Sequence, residues 1–228
     1  GDAKGVVLSA DCQTAYMADG YSGLQIIDVS DGNSPLGLGI YDTSGHARGV
    51  TLSADGQTAY VADYVSGLQI IDVSDGSDPV LLGTYDTSGG AYSVTLSVDG
   101  QTAYVADEYS GLQIIDVSDS SSPVLLEAYD TSGHTSDVIL SVDGQTAYVA
   151  DGYSGLQIIR ISDLILDSLS VVENSITGTV VGDLSAIDSE GNATRFNIID
   201  GTGYNLFLIN SNNQLVVKSG TMIDYEML

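Results

Sequence analysis

Carboxylates dominate the chemistry this chain could perform. It carries 31 Asp and Glu against five Lys and Arg, a formal net charge of −26. Many of the aspartates stand in columns. Asp19, Asp63, Asp107 and Asp151 form one, Asp28, Asp72 and Asp116 a second, and Asp42, Asp86 and Asp130 a third. Rings of acid can hold hard cations, which take six to eight oxygen ligands. Aspartate also accepts hydrogen bonds from the N–H groups of nearby turns. A ligand site is built where copies of a unit differ, and these residues are the same in each copy. The columns therefore read as structural. Arg160 takes the fourth place in the second column and is expected to pair with a neighbouring Asp.

The positions that differ carry another chemistry. The segments GDAKG, GHARG, GGAYS and GHTSD vary at Lys4, His46, Arg48, Tyr92, His134 and Asp137. A second set of loops varies at Tyr21, Tyr64, Glu108, Tyr109 and Tyr153. Aromatic and cationic side chains on loops held by a rigid frame suit a binding surface. His46, Arg48, Tyr92, His134, Tyr21, Tyr109 and Tyr153 are the candidate rim, for a protein or glycan ligand. Plain loop variation is the competing reading. Catalysis is not expected. His46 and His134 have no nucleophile context and no metal-ligand spacing beside them, and no phosphate-cradling glycine loop is present.

The same composition excludes other classes. Nucleic acid is a poor partner for so acidic a chain, since its binding relies on Lys and Arg neutralising phosphates. The apolar runs are too short to span a bilayer. Cys12 is the only cysteine, so there is no internal disulfide framework. It replaces the glycine of an Asp-Gly turn, where a left-handed non-glycine residue costs roughly 1–2 kcal/mol.

The chain repeats itself. SADCQTAYMAD at Ser9 returns at Ser53, Ser97 and Ser141, each time 44 residues on. SGLQIIDVSD and YDTSG recur with it. Each unit reads as four short strands, as in Gly49–Ser53, Thr58–Asp63, Leu68–Val73 and Val80–Tyr85, with Asp55-Gly56 closing the first hairpin. The bias to Asp over Glu predicts many turns and little helix. The third and fourth strands are apolar on both parities, so both of their faces are expected to be covered. Four antiparallel strands at a fixed period describe propeller blades.

The stretch AYVADYVSGLQIIDVSDGSDPVLLGTYDTSGGAYSV resembles the LVIVD repeat of bacterial propeller proteins, over residues 1–162. The resemblance implies an all-β, extracytoplasmic propeller and names no activity. Residues 163–228 change character. VVEN, GTVVGDLSAID, LFLINSNNQLVV and DYE resemble a bacterial cadherin repeat, a β-sandwich lacking its last strands here. That resemblance implies a calcium site at Glu173, Asp224 and Glu226, with Asp188 and Glu190 at the position facing the preceding repeat. It also implies neighbouring cadherin-like repeats as partners. GDAKG aligns with GHARG, so Gly1 falls inside a blade-to-blade turn. The protein is accordingly expected to extend both ways, with four blades forming an incomplete, open propeller.

The function expected from these readings is adhesion or ligand binding by a large secreted or surface-attached bacterial protein, with calcium stiffening its cadherin-like part. A propeller-based enzyme acting on polysaccharide and a structural spacer are the alternatives.

Overall fold

A computed structural model describes residues 1–161 and, beyond them, strands at 165–166, 180–185, 207–209 and 214–217. The chain divides into two compact units, Gly1–Ile159 and Arg160–Leu228.

The first unit is a succession of antiparallel sheets in which each strand pairs with the next in sequence. Blade 1 comprises β1 (Gly5–Leu8), β2 (Thr14–Ala18), β3 (Leu24–Asp28) and β4 (Leu36–Tyr41). Blade 2 comprises β5 (Gly49–Leu52), β6 (Thr58–Ala62), β7 (Leu68–Asp72) and β8 (Val80–Tyr85). Blade 3 comprises β9 (Ala91–Leu96), β10 (Thr102–Asp107), β11 (Leu112–Asp116) and β12 (Val124–Tyr129). Among the described residues blade 4 has three strands, β13 (Asp137–Leu140), β14 (Thr146–Ala150) and β15 (Leu156–Arg160), with one 3-10 turn at Gly152–Ser154.

Each first hairpin is tied by its own sequence. Ser53 Oγ donates to Asp55 Oδ1 at 2.6 Å, and the same oxygen accepts from the Gln57 N–H at 3.1 Å. Gly56 follows at φ 71°, and Cys12 takes the equivalent place at φ 58°. A side chain thus sits where the other three copies keep glycine, as expected.

Strand pairing sets two faces on every blade. Tyr60 lies opposite Ile70 and Ala62 opposite Leu68, which places all four on one face. Ala59 lies opposite Ile71 on the other. We call the first face forward and the second rear. The forward face of blade 1 (Tyr16, Ala18, Leu24, Ile26) packs on the rear face of blade 2 (Ala59, Val61, Ile71, Val73) in one buried cluster. The forward face of blade 2 (Tyr60, Ala62, Leu68, Ile70) packs on blade 3 (Ala103, Val105, Ile115, Val117) in another. Fully burying one Leu or Ile contributes about 1.5–3 kcal/mol, so these interfaces supply most of the fold's stability.

The expectation for the third strand holds in blades 2 and 3, where Leu68, Ile70, Ile71, Leu112 and Ile115 are buried, and fails in blade 4, where Leu156 and Ile158 are exposed. The expectation for the fourth strand fails. Val80, Leu81 and Leu82 are exposed, and so are Val124, Leu125 and Leu126. This strand is the blade's outer edge, where the neighbouring blade reaches it only through a turn, Gly76 against Gly39 and Ser120 against Gly83. A register shift between Ile70 and Ile71, repeated in blades 1 and 3, bends it further.

In the second unit the described strands are β16 (Ile165–Leu166), β17 (Val180–Ser185), β18 (Phe207–Ile209) and β19 (Gln214–Val217), forming one antiparallel sheet in the order β16-β17-β19-β18. The cadherin-like calcium residues Glu173, Asp188, Glu190, Asp224 and Glu226 lie outside the described residues.

Candidate functional site

The two variable loop sets meet. The loop after the second strand of one blade forms an isolated bridge with the turn that enters the next: Gly20 with Ala47, Tyr64 with Ala91, Glu108 with Thr135. The Tyr64 N–H donates to the Ala91 carbonyl at 3.0 Å, and the Ala91 N–H donates back at 3.0 Å. These bridges place the variable residues side by side.

The aspartate column just before these loops fixes their height. Asp63 is buried. It accepts from Thr43 Oγ1 at 2.6 Å and from the Gly45 N–H at 2.7 Å. Asp107 repeats this with Thr87 (2.6 Å) and Gly89 (2.8 Å). Asp151 accepts from Thr131 at 2.7 Å and from Thr135 at 3.1 Å. Each carboxylate grips the turn arriving from the previous blade, which is the structural role read from the sequence. Burial pushes the carboxyls of Asp63 and Asp107 above the ordinary range, against the opposing pull of the Thr hydroxyls. Asp28, Asp72 and Asp116 cap turns instead, each accepting the N–H two residues on.

On this frame stands an aromatic and cationic cluster. The Arg48 guanidinium lies 5.0 Å from the ring centre of Tyr64 and 4.8 Å from that of Tyr92, within cation–π range of both. Tyr64 and Tyr92 meet edge to face at 5.7 Å. His134 meets Tyr92 and Tyr109 edge to face, both at 5.2 Å, and its Nε2 lies 3.2 Å from Glu108 Oε1. Arg48 Nε is buried without a hydrogen-bond partner, and no carboxylate among the described residues lies within 4 Å of this guanidinium. Burial raises the Tyr92 phenol above its usual value, and Arg48 pulls it back.

A second group adjoins His46. Its ring meets Tyr21 edge to face at 4.4 Å, and its Nε2 lies 3.4 Å from Asp2, which also pairs with Lys4 at 2.9 Å. Lys4 is the largest influence holding the Asp2 carboxyl below the usual range. Of the candidate rim, His46 and Tyr21 thus form one group, and Arg48, Tyr92, His134 and Tyr109 the other. Tyr153 is fully exposed and makes no ring contact among the described residues. Asp2 was not singled out by the sequence, and its only signal was the Lys4 two residues away.

Backbone conformation adds an independent mark. Gly20 (φ 58°) and Gly152 (φ 48°) hold one loop position in the left-handed region. The same position is Tyr64 (φ 51°) in blade 2 and Glu108 (φ 45°) in blade 3. A non-glycine residue there costs roughly 1–2 kcal/mol. Such strain gathers at functional sites, and here it is borne by two side chains of the cluster. Among the described residues no group of three or more His, Cys, Asp or Glu is placed to hold a metal ion. No described helix is long and apolar enough to cross a membrane.

The LVIVD repeat matches the chain four times, at residues 1–43, 44–87, 89–131 and 132–170. No curated protein matches it. Among solved structures, the β-propeller domain of Cps50 (Swd1) from Myceliophteria thermophila is 13% identical, over 70% of this chain and 52% of that one, with a TM-score of 0.55. The periplasmic gluconolactonase PpgL of Pseudomonas aeruginosa is 15% identical, over 96% of this chain and 71% of that one, with a TM-score of 0.53. The chain spans about half the length of the first. At these identities the likeness is one of fold: the first unit is built as propeller blades.

Proposed function

Since the chain belongs to the LVIVD repeat family and is a propeller repeat protein, we propose that it is the binding module of a secreted or surface-attached bacterial protein, and that its rim takes an acidic sugar. One observation carries the reading: Arg48 stands between two tyrosines with no carboxylate within 4 Å among the described residues, in a chain with 31 acidic residues. In so acidic a protein an unclaimed guanidinium is a place kept for an anion brought from outside. Arginine meets a carboxylate with two parallel hydrogen bonds. Tyr64, Tyr92 and Tyr109 offer ring faces for the apolar side of a pyranose, with the polar tips left to bond hydroxyls. One cation at the centre suits one acid group, as on a terminal uronic acid.

The test is calorimetric titration with a glucuronate-terminated disaccharide and its uncharged amide counterpart. The acid form is expected to bind, with Arg48→Gln weakening it about tenfold, or about 1.4 kcal/mol. Equal affinity for the two forms would remove Arg48 from the site.

The calcium-stiffened stalk remains part of the proposal through Glu173, Asp224 and Glu226. A melting shift on adding calcium, lost in Asp224→Asn, would support it. The pairing of His134 with Glu108 favours one second reading, an enzyme acting on polysaccharide, because a histidine oriented by a carboxylate can move protons. Turnover of a glycan abolished by His134→Ala would favour it over simple binding.

A further inference from the structure

Three departures from the repeat converge on one point. The first is Gly90. The turns entering the four blades carry Asp2, His46, Gly90 and His134 at the same place, so blade 3 alone lacks a side chain there. Gly90 is buried, and its backbone is not left-handed, so room rather than conformation asks for glycine. A Cβ at Gly90 would stand 2.5 and 2.7 Å from two ring carbons of Tyr64 and 2.8 Å from Glu108 Oε2. Those two residues are the other departures. They hold in the left-handed region a loop position that is glycine in blades 1 and 4. Two strained residues and one missing side chain thus bring a tyrosine edge and a carboxylate oxygen together. The blade itself does not need this, since blades 1 and 4 fold with glycine at that loop position.

Two opposite chemistries meet around that ring. The Arg48 guanidinium lies 5.0 Å from the centre of Tyr64. Glu108 holds His134 Nε2 at 3.2 Å with its Oε1, while its Oε2 turns to the Tyr64 edge. The Glu108 side chain is only 15% exposed, so a bond it makes there competes little with water. An ionised carboxylate accepts hydrogen bonds and donates none, so it selects hydroxyl or N–H donors. It also repels another carboxylate. A pyranose acid carries its carboxylate at one end of the ring and hydroxyls at the other, and the two groups would sort its ends. We propose that Glu108 is the hydroxyl-reading residue of the rim, and that Gly90 is the positioning residue that seats it against Tyr64. This rests on the acidic-sugar reading and adds an orientation to it: carboxylate on Arg48, hydroxyls on Glu108. The site then takes a sugar acid and not a simple anion.

Calorimetry on the whole chain with the glucuronate-terminated disaccharide and its amide tests the role of Glu108. Glu108→Gln keeps the shape and removes the charge, so it should weaken the acid form about fivefold, the gap between a charged and a neutral acceptor. The amide should weaken by a similar factor, because both forms carry the same hydroxyls, whereas Arg48→Gln should weaken the acid form alone. A carboxylate that merely stood near the anion would repel it. Glu108→Gln binding the acid form equally or more tightly would therefore overturn the proposal. An unaltered chain that binds acid no better than amide would instead sink the acidic-sugar reading. Gly90→Ala should melt like the unaltered chain, since it displaces only side-chain ends, and should weaken both forms as Glu108→Gln does. Proton NMR without sugar gives a second readout, because the chain has two histidines and His134→Asn tells their ring signals apart. In Gly90→Ala the His134 signal should move with its partner Glu108, and the His46 signal should stay. An unmoved His134 signal would show that Gly90 does not seat Glu108.

Discussion

Asp63 and Tyr64 are neighbours in the chain, as are Asp107 and Glu108, yet they belong to different parts of the molecule in every physical sense. The aspartates are the same in all four copies, are buried, and hold the incoming turn through a Thr hydroxyl and a Gly N–H. The residues after them differ from copy to copy, adopt a left-handed backbone at Tyr64 and Glu108, and reach into the aromatic cluster. In a chain that contains its own alignment, sameness marks what every blade needs. Difference marks what one blade does.

Substitutions can break this contrast on either side. Asp107→Ala should have the largest effect, because it strands the Thr87 hydroxyl and the Gly89 N–H. A loss of about 2–4 kcal/mol is expected, since bonds to a charged group are worth about 1.5–3 kcal/mol each and burial of the charge offsets part. The midpoint of urea unfolding measures it. Sugar binding should fall with it, because that turn leads directly into β9, which carries Tyr92.

Tyr64→Gly should do the reverse. Relief of strain, about 1–2 kcal/mol, is offset by glycine's entropy and the lost cation–π contact, each about 0.5–1 kcal/mol. Stability should stay within about 1 kcal/mol of wild type while affinity for the acidic disaccharide drops. A large fall in stability would show that Tyr64 belongs to the frame.

The pH dependence sharpens the same line. Burial raises the Asp107 pKa, so the native state binds this proton more tightly than the unfolded chain does. The stabilisation from that proton is full below the ordinary carboxylate range and is lost as pH rises through the raised value. The stability gap between wild type and Asp107→Asn should therefore narrow as pH rises. A gap that widens would reverse the assignment. The smallest effect is expected at Cys12→Gly, which should raise stability by about 1 kcal/mol by restoring the residue the turn favours. A melting curve of the reduced protein would check it.

Much of this was legible in the residues. The period, the Asp-Gly turns and the buried third strands followed from patterns that depend only on local backbone and neighbouring packing. Val80–Leu82 misled, because two apolar parities say that a strand could be covered and not that a neighbour reaches it. The rim residues were recognisable as variable. Their division into one group around His46 and another around Arg48 was not, since side-chain direction at a bridge is set by the facing loop. Tyr64 could have been promoted from its alignment with Gly20 and Gly152. Tyr153 follows a glycine in the same loop set and had no such mark.

The blade-to-blade grip also bears on how the chain acquires its structure. Thr43 and Asp63 are 20 residues apart, and so are Thr87 and Asp107. Every strand of a blade pairs with the next in sequence. Within the described blades no strand pairing waits for a distant segment, so loop-closure entropy stays small at each of these steps. Blades can form one after another as the chain leaves the ribosome, each serving as the template on which the following one condenses.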